Sequence, residues 1–424
     1  MTTRPGPPST GADGSPAGPA GERPGLTEAE RVELTVAAVA PGGHCVARVD
    51  GQVVFVRHAL PGERVIAEVT EVHRGFVRAD AVEVLDASPD RVEPPCPYAK
   101  PGLCGGCDLQ HVAPAAQLGW KVAVVREQLT RLAGLTDAEV DALGVTVEAL
   151  PGGPLGWRSR VRYAVDAADR AGLLKHRSHE VVPIDRCRIA HPAIQRLPVL
   201  ADRWPDADAV ETVATTGGDV SVRAVTGGVS APVSGPETVR ERAAGRDWAL
   251  PASGFWQVHP AAADTLVGAV LDLLDPRPGE SAWDLYGGAG LFAAALAGRV
   301  GDARITLVES SEPGVAAARA NLADLRVEVV AARVETALAR RRVTGPVDLV
   351  VLDPPRSGAG VRVVRDVVAA GPRAVAYVAC DPAAFARDVR GFTGAGWRLA
   401  ALRGFDLFPM TQHVELVGLL LPPR

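Results

Sequence analysis

The chain has 424 residues, of which 47% are hydrophobic and 22% charged, with a formal net charge of −5. This length exceeds what one hydrophobic core usually organises, so we expect two or three domains, and the composition excludes a fully disordered or fibrous chain. The acidic balance argues against a broadly basic nucleic-acid-binding protein, although a local basic strip could still bind phosphates. Neither a run of about 18 apolar residues nor a signal peptide occurs, so we expect no membrane contact and a cytoplasmic location.

The chain changes character three times. Residues 1–25 are rich in Pro, Gly, Ser and Thr without periodic order, which predicts a disordered tail. In residues 26–87, short β-branched runs separated by turn signals predict a small β-barrel. Residues 88–250 open with a Pro-rich linker and a helical pattern over 117–132, then read as mixed strands and loops. Residues 251–424 alternate helix-like and strand-like stretches, which predicts an α/β, doubly wound, Rossmann-like domain with a parallel sheet.

Three cysteines stand close together at the start of the central region. Cys96, Cys104 and Cys107 have the spacing Cys-x7-Cys-x2-Cys, with two glycines between the last two. Clustered thiolates suit zinc or an iron–sulfur cluster. Cys187 is a candidate fourth ligand, because a free cysteine among charged residues is unusual. The alternative is a set of unrelated structural cysteines.

A glycine-rich turn indicates a cofactor site in the last region. The segment 284–290 reads Asp-Leu-Tyr-Gly-Gly-Ala-Gly between a strand-like and a helix-like stretch. Glycines there let a cofactor approach the backbone closely, and Glu309, at the end of the next strand-like run, can accept hydrogen bonds from a ribose diol. Together they favour a cofactor that contains adenosine.

Three further residues at predicted strand ends carry reactive groups. Asp353 begins an Asp-Pro-Pro-Arg sequence that forms either a rigid active-site rim or a simple turn. Cys380 follows an apolar run and is either a nucleophile or a buried core cysteine. Glu415 interrupts an apolar strand, where an unpaired carboxylate is costly, so it has a specific role or lies at an exposed edge.

Taken together, these fragments resemble the RNA uracil-C5 methyltransferase family, which makes 5-methyluridine with S-adenosylmethionine. The resemblance covers residues 28–424, and further pieces are Phe255-Trp-Gln-Val and His413-Val-Glu415. It implies that the barrel is a TRAM module, an OB-like RNA-binding domain, that residues 88–250 form an α+β iron–sulfur domain, and that residues 251–424 form the methyltransferase domain. The implied partner is RNA, with 23S rRNA as the first candidate and tRNA as the alternative, and the implied assembly is a monomer.

The resemblance also implies a role for particular residues. Cys380 is the nucleophile that adds to uracil C6, and Glu415 is the base that removes the C5 proton. The residues implied to contact S-adenosylmethionine are Gln257, Tyr286, Glu309 and Asp353. The residues implied to hold a [4Fe–4S] cluster are Cys96, Cys104, Cys107 and Cys187.

The chain departs from the family pattern at three places. The first cysteine spacing is longer than usual, which predicts a loop at 99–102. His259 and Leu291 stand where the family often has Asn, and the change at Leu291 predicts the loss of one cofactor contact.

Three competing classes of protein fit the sequence less well. A methyltransferase acting on an exocyclic amine would place an aromatic residue, not Arg356, after the two prolines. The cysteine spacing does not fit a radical S-adenosylmethionine enzyme, and a non-catalytic iron–sulfur RNA-binding protein would not need Cys380 and Glu415.

A basic strip is a candidate track for the RNA backbone. The strip consists of residues 157–163 and continues through 175–177, and from 157 to 177 six Arg or Lys residues stand against Asp166 and Asp169 in an acidic chain. Arginine suits bidentate phosphate contacts. The alternative is an ordinary solvated strand face.

Overall fold

A computed structural model describes residues 25–423, so the predicted tail at residues 1–25 lies almost entirely outside the described residues. The first unit is a curved six-stranded sheet in the order β1-β5-β6-β4-β3-β2. Its strands are β1 (Arg31–Thr35), β2 (Ala38–Ala40), β3 (His44–Val49), β4 (Gln52–Arg57), β5 (Arg64–Val72) and β6 (Phe76–Asp86). Alternate residues of β5 are buried, as the β-branched pattern predicts for a sheet with one face on a core.

The central region contributes a second sheet, a hairpin and one strand that leaves it. Its strands are β7 (Val147–Ala149), β8 (Arg160–Val165), β9 (Ala171–Leu174), β10 (Val181–Pro183), β11 (Ala209–Ala214), β12 (Val220–Thr226), β13 (Val229–Ser234), β14 (Thr238–Ala243) and β15 (Arg246–Pro251). The sheet order is β10-β9-β8-β11-β12-β13, and β14 pairs with β15. The strand β7 instead joins the sheet of the last region, so the three-domain division stays a prediction.

The last region forms a sheet in the order β18-β17-β16-β19-β20-β22-β21-β7. Its remaining strands are β16 (Ala282–Leu285), β17 (Ile305–Glu309), β18 (Val327–Ala331), β19 (Leu349–Leu352), β20 (Ala374–Ala379), β21 (Arg398–Asp406) and β22 (Glu415–Leu421). Strands β16 to β20 are parallel, as expected from the helix–strand alternation. The strand β22 runs antiparallel to both β20 and β21, so the sheet is mixed. No helix lies between β21 and β22, and a short loop reverses the chain direction.

Helices cover both faces of this sheet. The helices of the described chain are α1 (Pro114–Gln128), α2 (Asp137–Ala142), α3 (Pro192–Gln195), α4 (Ala262–Leu274), α5 (Leu291–Val300), α6 (Glu312–Asn321), α7 (Val334–Ala339), α8 (Gly360–Ala370) and α9 (Pro382–Gly394), of which α3 packs on the central sheet instead. Helices α4, α5 and α6 pack in the core on one face, and α1, α7, α8 and α9 in the core on the other. This confirms the doubly wound arrangement. Within residues 25–423, no helix is long and apolar enough to span a membrane.

Helix α1 connects the barrel to the loop that precedes β22. Lys121 is fully buried, and its ammonium donates hydrogen bonds to the carboxylate of Asp406 at 2.5 Å and to the carbonyl of Phe408 at 3.2 Å. One helical turn away, the side chain of Gln117 accepts a hydrogen bond from the Met410 backbone N–H at 2.9 Å. These contacts fix the loop at 407–414, which leads directly into Glu415.

Asp108 fixes the same loop from the other side. Its carboxylate accepts a hydrogen bond from the Gln412 backbone N–H at 3.2 Å and lies 3.6 Å from the guanidinium of Arg57 on β4. The backbone N–H groups of Asp108 and Leu109 both donate to the carbonyl of Met410. The barrel, the cysteine-rich segment and the loop before Glu415 therefore meet at one point.

Candidate active site

Four of the predicted site residues lie at the carboxyl ends of adjacent parallel strands. Tyr286 follows β16, Glu309 ends β17, Asp353 follows β19 and Cys380 follows β20. These ends meet at one edge of the sheet, where open α/β folds bind their ligands. Gln257 reaches the same place from the segment before α4. All five line one cavity of about 1210 Å³.

Cys380 and Glu415 face each other across the pair formed by β20 and β22. Ala379 pairs with Leu416 in antiparallel register, so Cys380 and Glu415 occupy the next position of the ladder. Both line the cavity. Glu415 is only 3% exposed on an interior strand, so the alternative that placed it at an exposed edge is wrong. Cys380 is half-buried at the cavity wall, so it is not a buried core cysteine.

Burial dominates the electrostatics of this pair. Burial and, to a smaller extent, the charge of Glu415 raise the pKa of the Cys380 thiol to about 11, although Arg356 acts in the opposite direction. Burial also raises the pKa of Glu415 well above its ordinary value, with a further contribution from Asp353. The site therefore disfavours two negative charges at once, and a proton is retained by the pair at neutral pH.

The glycine turn after β16 has the close backbone approach that its sequence predicts. A Cβ atom on Gly287 would come within 2.5 Å of the Leu307 side chain, and one on Gly290 within 2.6 Å of Leu322. Tyr286 adopts φ +67°, a left-handed conformation that is uncommon outside glycine. Its buried hydroxyl has no hydrogen-bond partner among the described residues. Strain and an unpaired polar group together are typical of a functional position.

Three carboxylates surround this turn. Glu309 accepts hydrogen bonds from the backbone N–H groups of Gly288, Ser310 and Ser311 at 2.6–3.0 Å, so its side chain is held in place. Asp284 is completely buried; one of its oxygens accepts from the Ala293 N–H, and the other has no partner among the described residues.

The surroundings of these carboxylates raise the pKa of two of them, Asp284 and Asp353. Burial raises the pKa of Asp284 to about 7, and the charge of Glu309 adds to this. Burial also raises the pKa of Asp353 to about 7, with a further contribution from Asp284. Such an acidic, partly unsatisfied site favours a ligand that carries a positive charge.

The four predicted metal-binding cysteines are near one another. Cys96, Cys107 and Cys187 are buried and Cys104 is half-buried, and all are free thiols. Burial raises the pKa of Cys104 to about 11, with smaller contributions from Cys187 and Cys96. Burial also raises the pKa of Cys107, with contributions from Cys187, Cys104 and Asp108. Residues 99–102 form a loop, as the longer spacing predicts. Among residues 25–423, no group of three or more His, Cys, Asp or Glu side chains is arranged to hold a metal ion, so the cluster stays a prediction.

The basic strip is not a continuous phosphate track. The guanidinium of Arg160 is largely buried, where it donates to the carbonyls of Ala252 and Gly254 and pairs with Glu241 at 3.1 Å, so its assignment to an RNA track is wrong. Ion pairs also involve Arg162 with Glu211, Arg170 with Asp166, and Lys175 with Glu180. Arg158 instead lines the large cavity.

Sequence reasoning assigned no role to two residues that contact the reactive centre. Arg356 and His413 line the large cavity together with Cys380. Arg356 ends the Asp-Pro-Pro-Arg sequence that begins at Asp353, and His413 lies two residues before Glu415. The sequence patterns that identified these two acids therefore also contained Arg356 and His413. Burial and Arg356 lower the pKa of His413 to about 4, so His413 is neutral at physiological pH. A neutral imidazole can accept or donate a hydrogen bond there.

Comparisons with known proteins match two separate parts of the chain to domain families and most of its length to known enzymes. Residues 26–82 match the family model of the TRAM domain, and residues 262–376 match that of the methyltransferase small domain. A protein of Streptomyces avermitilis described as an RNA methyltransferase is 51% identical over 93% of this chain and 98% of its own length. A 23S rRNA (uracil(1939)-C(5))-methyltransferase of Thiobacillus denitrificans is 34% identical over 89% of this chain and 96% of its own length.

A solved structure matches the whole architecture. The tRNA (uracil-54, C5)-methyltransferase of Pyrococcus abyssi, in complex with S-adenosyl-L-homocysteine, superposes with a TM-score of 0.69 at 25% identity. The match covers 92% of this chain and 100% of that one. The doubly wound fold, with its cavity at the glycine turn, thus defines an enzyme of the methyltransferase class. More particularly, the chain belongs to the RNA uracil-C5 methyltransferase family and is an RNA methyltransferase.

Proposed function

We propose that this enzyme transfers a methyl group from S-adenosylmethionine to C5 of a uridine in 23S rRNA, through a covalent bond between Cys380 and uracil C6. The observation that carries the proposal is the register of β20 and β22, in which a thiol and a buried carboxyl face each other in the cavity that reaches the glycine turn. This reaction needs one nucleophile and one separate base. The full-length similarity to a 23S rRNA enzyme favours rRNA over tRNA.

The residues around the glycine turn fit S-adenosylmethionine. Gly287 and Gly288 expose the backbone of the turn to the cavity, and Glu309 lines the same cavity, where it can accept hydrogen bonds from a ribose diol. The carboxyl of Asp353 lines the cavity, and its ionised form suits the positive charge of this cofactor. Gln257 and Tyr286 complete the proposed set. When bound, S-adenosylmethionine supplies an electrophilic methyl group.

The two reactive side chains act in sequence on the uracil ring. Uracil C5 is too weak a nucleophile to take a methyl group unaided, and addition of the Cys380 thiolate to C6 gives C5 the character of an enolate carbon. The proton that this pair retains has to pass to solvent before Glu415 can act as a base. After C5 has been methylated, the carboxylate of Glu415 removes the C5 proton. The electrons of that C–H bond restore the C5–C6 double bond and expel the Cys380 thiolate. Because a stacked base cannot reach this cavity, the uridine must be flipped out of its helix.

The acidic surroundings of the cofactor predict a pH-dependent affinity. The carboxyls of Asp284 and Asp353, with pKa values of about 7, are ionised above neutral pH, and a cationic cofactor binds the ionised form. We therefore expect S-adenosylmethionine to bind more tightly as the pH rises from 6 to 8, with release of protons on binding. Calorimetry in buffers of different ionisation enthalpy measures both quantities. Asp353→Asn should flatten the dependence, whereas Asp366→Asn on α8 should not, and a wild-type affinity that is constant over this range would contradict the prediction.

We also propose that Cys96, Cys104, Cys107 and Cys187 hold a [4Fe–4S] cluster. The support is that these thiols are mostly buried and close enough to influence one another, and that iron would stabilise the thiolates that burial disfavours. The cysteine-rich segment is hydrogen-bonded to the loop before Glu415, so the cluster would support the active site structurally.

The cluster prediction is tested by metal content. We expect anaerobically purified protein to be brown and to contain about four irons per chain. Cys187→Ser should lose iron as fully as Cys104→Ser, because each supplies one ligand. Cys45→Ser, which changes a buried cysteine of the barrel core, should keep the iron. Stoichiometric zinc without iron would contradict the assignment.

The choice of RNA is tested by mapping 5-methyluridine in the rRNA and tRNA of a strain that lacks this protein. We expect one 5-methyluridine to disappear from 23S rRNA and to return when the gene is restored. Loss of a tRNA 5-methyluridine instead would transfer the proposal to tRNA.

Purified protein should behave as a monomer in solution, which light scattering measures.

A further inference from the structure

A second cavity, of about 240 Å³, lies beside Cys380 between the barrel and the methyltransferase sheet. Its walls come from the barrel turn at 41–42, the end of α1, the start of α9 and the loop before β22. Three residues, Arg356, Cys380 and His413, line both this cavity and the large one. The two cavities therefore meet at the nucleophile. The proposed cofactor and target uridine are assigned to the large cavity, whereas no role has been assigned to the small one.

The small cavity presents a free amide in a lining of mixed polar and apolar residues. Gln128, the last residue of α1, is only 7% exposed and lines the cavity, and its carboxamide makes no hydrogen bond to any residue from 25 to 423. Val124 and Pro382 supply apolar walls. The other amide, Gln412, already accepts a hydrogen bond from the Gly42 N–H at 3.2 Å. A buried carboxamide with unused donors and acceptors is suited to the edge of a nucleobase.

The guanidinium of Arg356 lies where the two cavities meet. Arg356 is exposed and forms neither a hydrogen bond nor a salt bridge with the described residues. It lies close enough to Cys380 and Glu415 to influence both electrostatically. An arginine without a protein partner beside a site for RNA is suited to a phosphate group.

We propose that the small cavity receives the nucleobase next to the target uridine, with Gln128 at its edge and Arg356 on the phosphate between the two nucleotides. The inference rests on the proposed function, because the substrate is then a polymer whose next nucleotide must lie one phosphate away from the flipped uridine. A volume of about 240 Å³ is sufficient for a single base. Single-stranded RNA is generally recognised through such splayed bases, by stacking and by hydrogen bonds to their edges. The enzyme then reads the sequence beside its target as well as the uridine.

The test uses stem-loop RNAs that carry the uridine mapped in the deletion strain. In one series each base beside that uridine is changed to the other three, and in another it is replaced by an abasic site. For the wild-type enzyme, we expect kcat/KM for 5-methyluridine formation to fall roughly tenfold when the base on one side is removed. Gln128→Leu should show this loss with the intact RNA and discriminate little among the flanking bases. Its thermal stability and S-adenosylmethionine affinity should match the wild type.

Two control variants separate this site from general effects. Glu127→Leu changes the neighbouring residue on α1, which lines neither cavity, and should keep the wild-type preference. Arg356→Ala should raise KM for every RNA in the series and reduce its salt dependence, whereas Arg362→Ala on α8 removes the same charge away from both cavities and should not. Arg356→Lys should restore part of the affinity.

The outcomes distinguish this inference from the proposed function. If the wild type forms 5-methyluridine equally well with abasic sites on both sides, the inference is wrong and the proposed function stands. If it forms no 5-methyluridine with any RNA, both are wrong. Because the wild-type series is informative alone, the inference stays falsifiable even if Gln128→Leu does not fold.

Discussion

Cys380→Ala is expected to abolish methylation of RNA, with a loss on the order of 10⁴-fold or more. The substitution removes the only group of the site that we assign to C6 attack, so C5 never becomes nucleophilic. Neither methyl transfer nor a covalent RNA adduct should then form. S-adenosylmethionine affinity should be retained, because Cys380 lies beyond the glycine turn on a different strand. Incorporation of a labelled methyl group and denaturing electrophoresis measure the two losses.

Cys45→Ala serves as the matched control for that variant. Cys45 is a buried cysteine of the barrel that lines neither cavity, and its thiol donates to the Ala59 carbonyl at 3.4 Å. We expect full methylation by this variant. Methylation by Cys380→Ala at a rate near the wild type would exclude a covalent role for the thiol.

Glu415→Gln is expected to trap the reaction after methyl transfer. The variant cannot remove the C5 proton, so turnover should fall roughly 10²–10⁴-fold, while attack by Cys380 and methylation remain possible. A methylated uridine should therefore accumulate on Cys380 and survive denaturing electrophoresis. Glutamine matches glutamate in shape, and burial, which raises the pKa of Glu415, favours a neutral side chain at this position, so the fold should be preserved.

The control for Glu415→Gln is Glu328→Gln on β18, an exposed position away from both cavities. This variant should turn over normally without an adduct. A structural role for Glu415 would instead lower stability without accumulating an adduct. If Glu415→Gln folds, binds S-adenosylmethionine and turns over with no adduct, Glu415 is not the base.

The sequence carried enough local information to predict the residues at the cavity. Glycine turns, an acid after a strand and a Cys-Asp-Pro sequence each lie at a strand end, and parallel strands bring their carboxyl ends to one edge. The alternation of helices and strands placed Glu309, Asp353 and Cys380 at the ends of parallel strands, which is why they meet, whereas Tyr286 was assigned through the family resemblance. Glu415 was identifiable because a carboxylate inside an apolar strand requires a reason.

Features that depend on contacts between distant segments were not predictable. Arg160 looks like a surface cation in the sequence, yet its partners Glu241 and the carbonyl of Gly254 are more than 80 residues away. The strand β7, at Val147–Ala149, pairs with β21, which begins far away in the sequence at Arg398. Gln128 has no distinguishing local pattern, because its isolation results from the packing of the barrel beside α9. Such long-range packing has no periodic signal in the chain.

The central claim is that the methyl group goes to uracil C5, and release of the C5 hydrogen tests it most directly. RNA transcribed with uridine labelled by tritium at C5 is incubated with the enzyme and S-adenosylmethionine, and tritium in water is compared with methyl groups in RNA. Transfer to C5 by the proposed route must release one tritium for each methyl group incorporated, and Cys380→Ala should release none. Methyl incorporation without tritium release would place the methyl group on another atom and contradict the account.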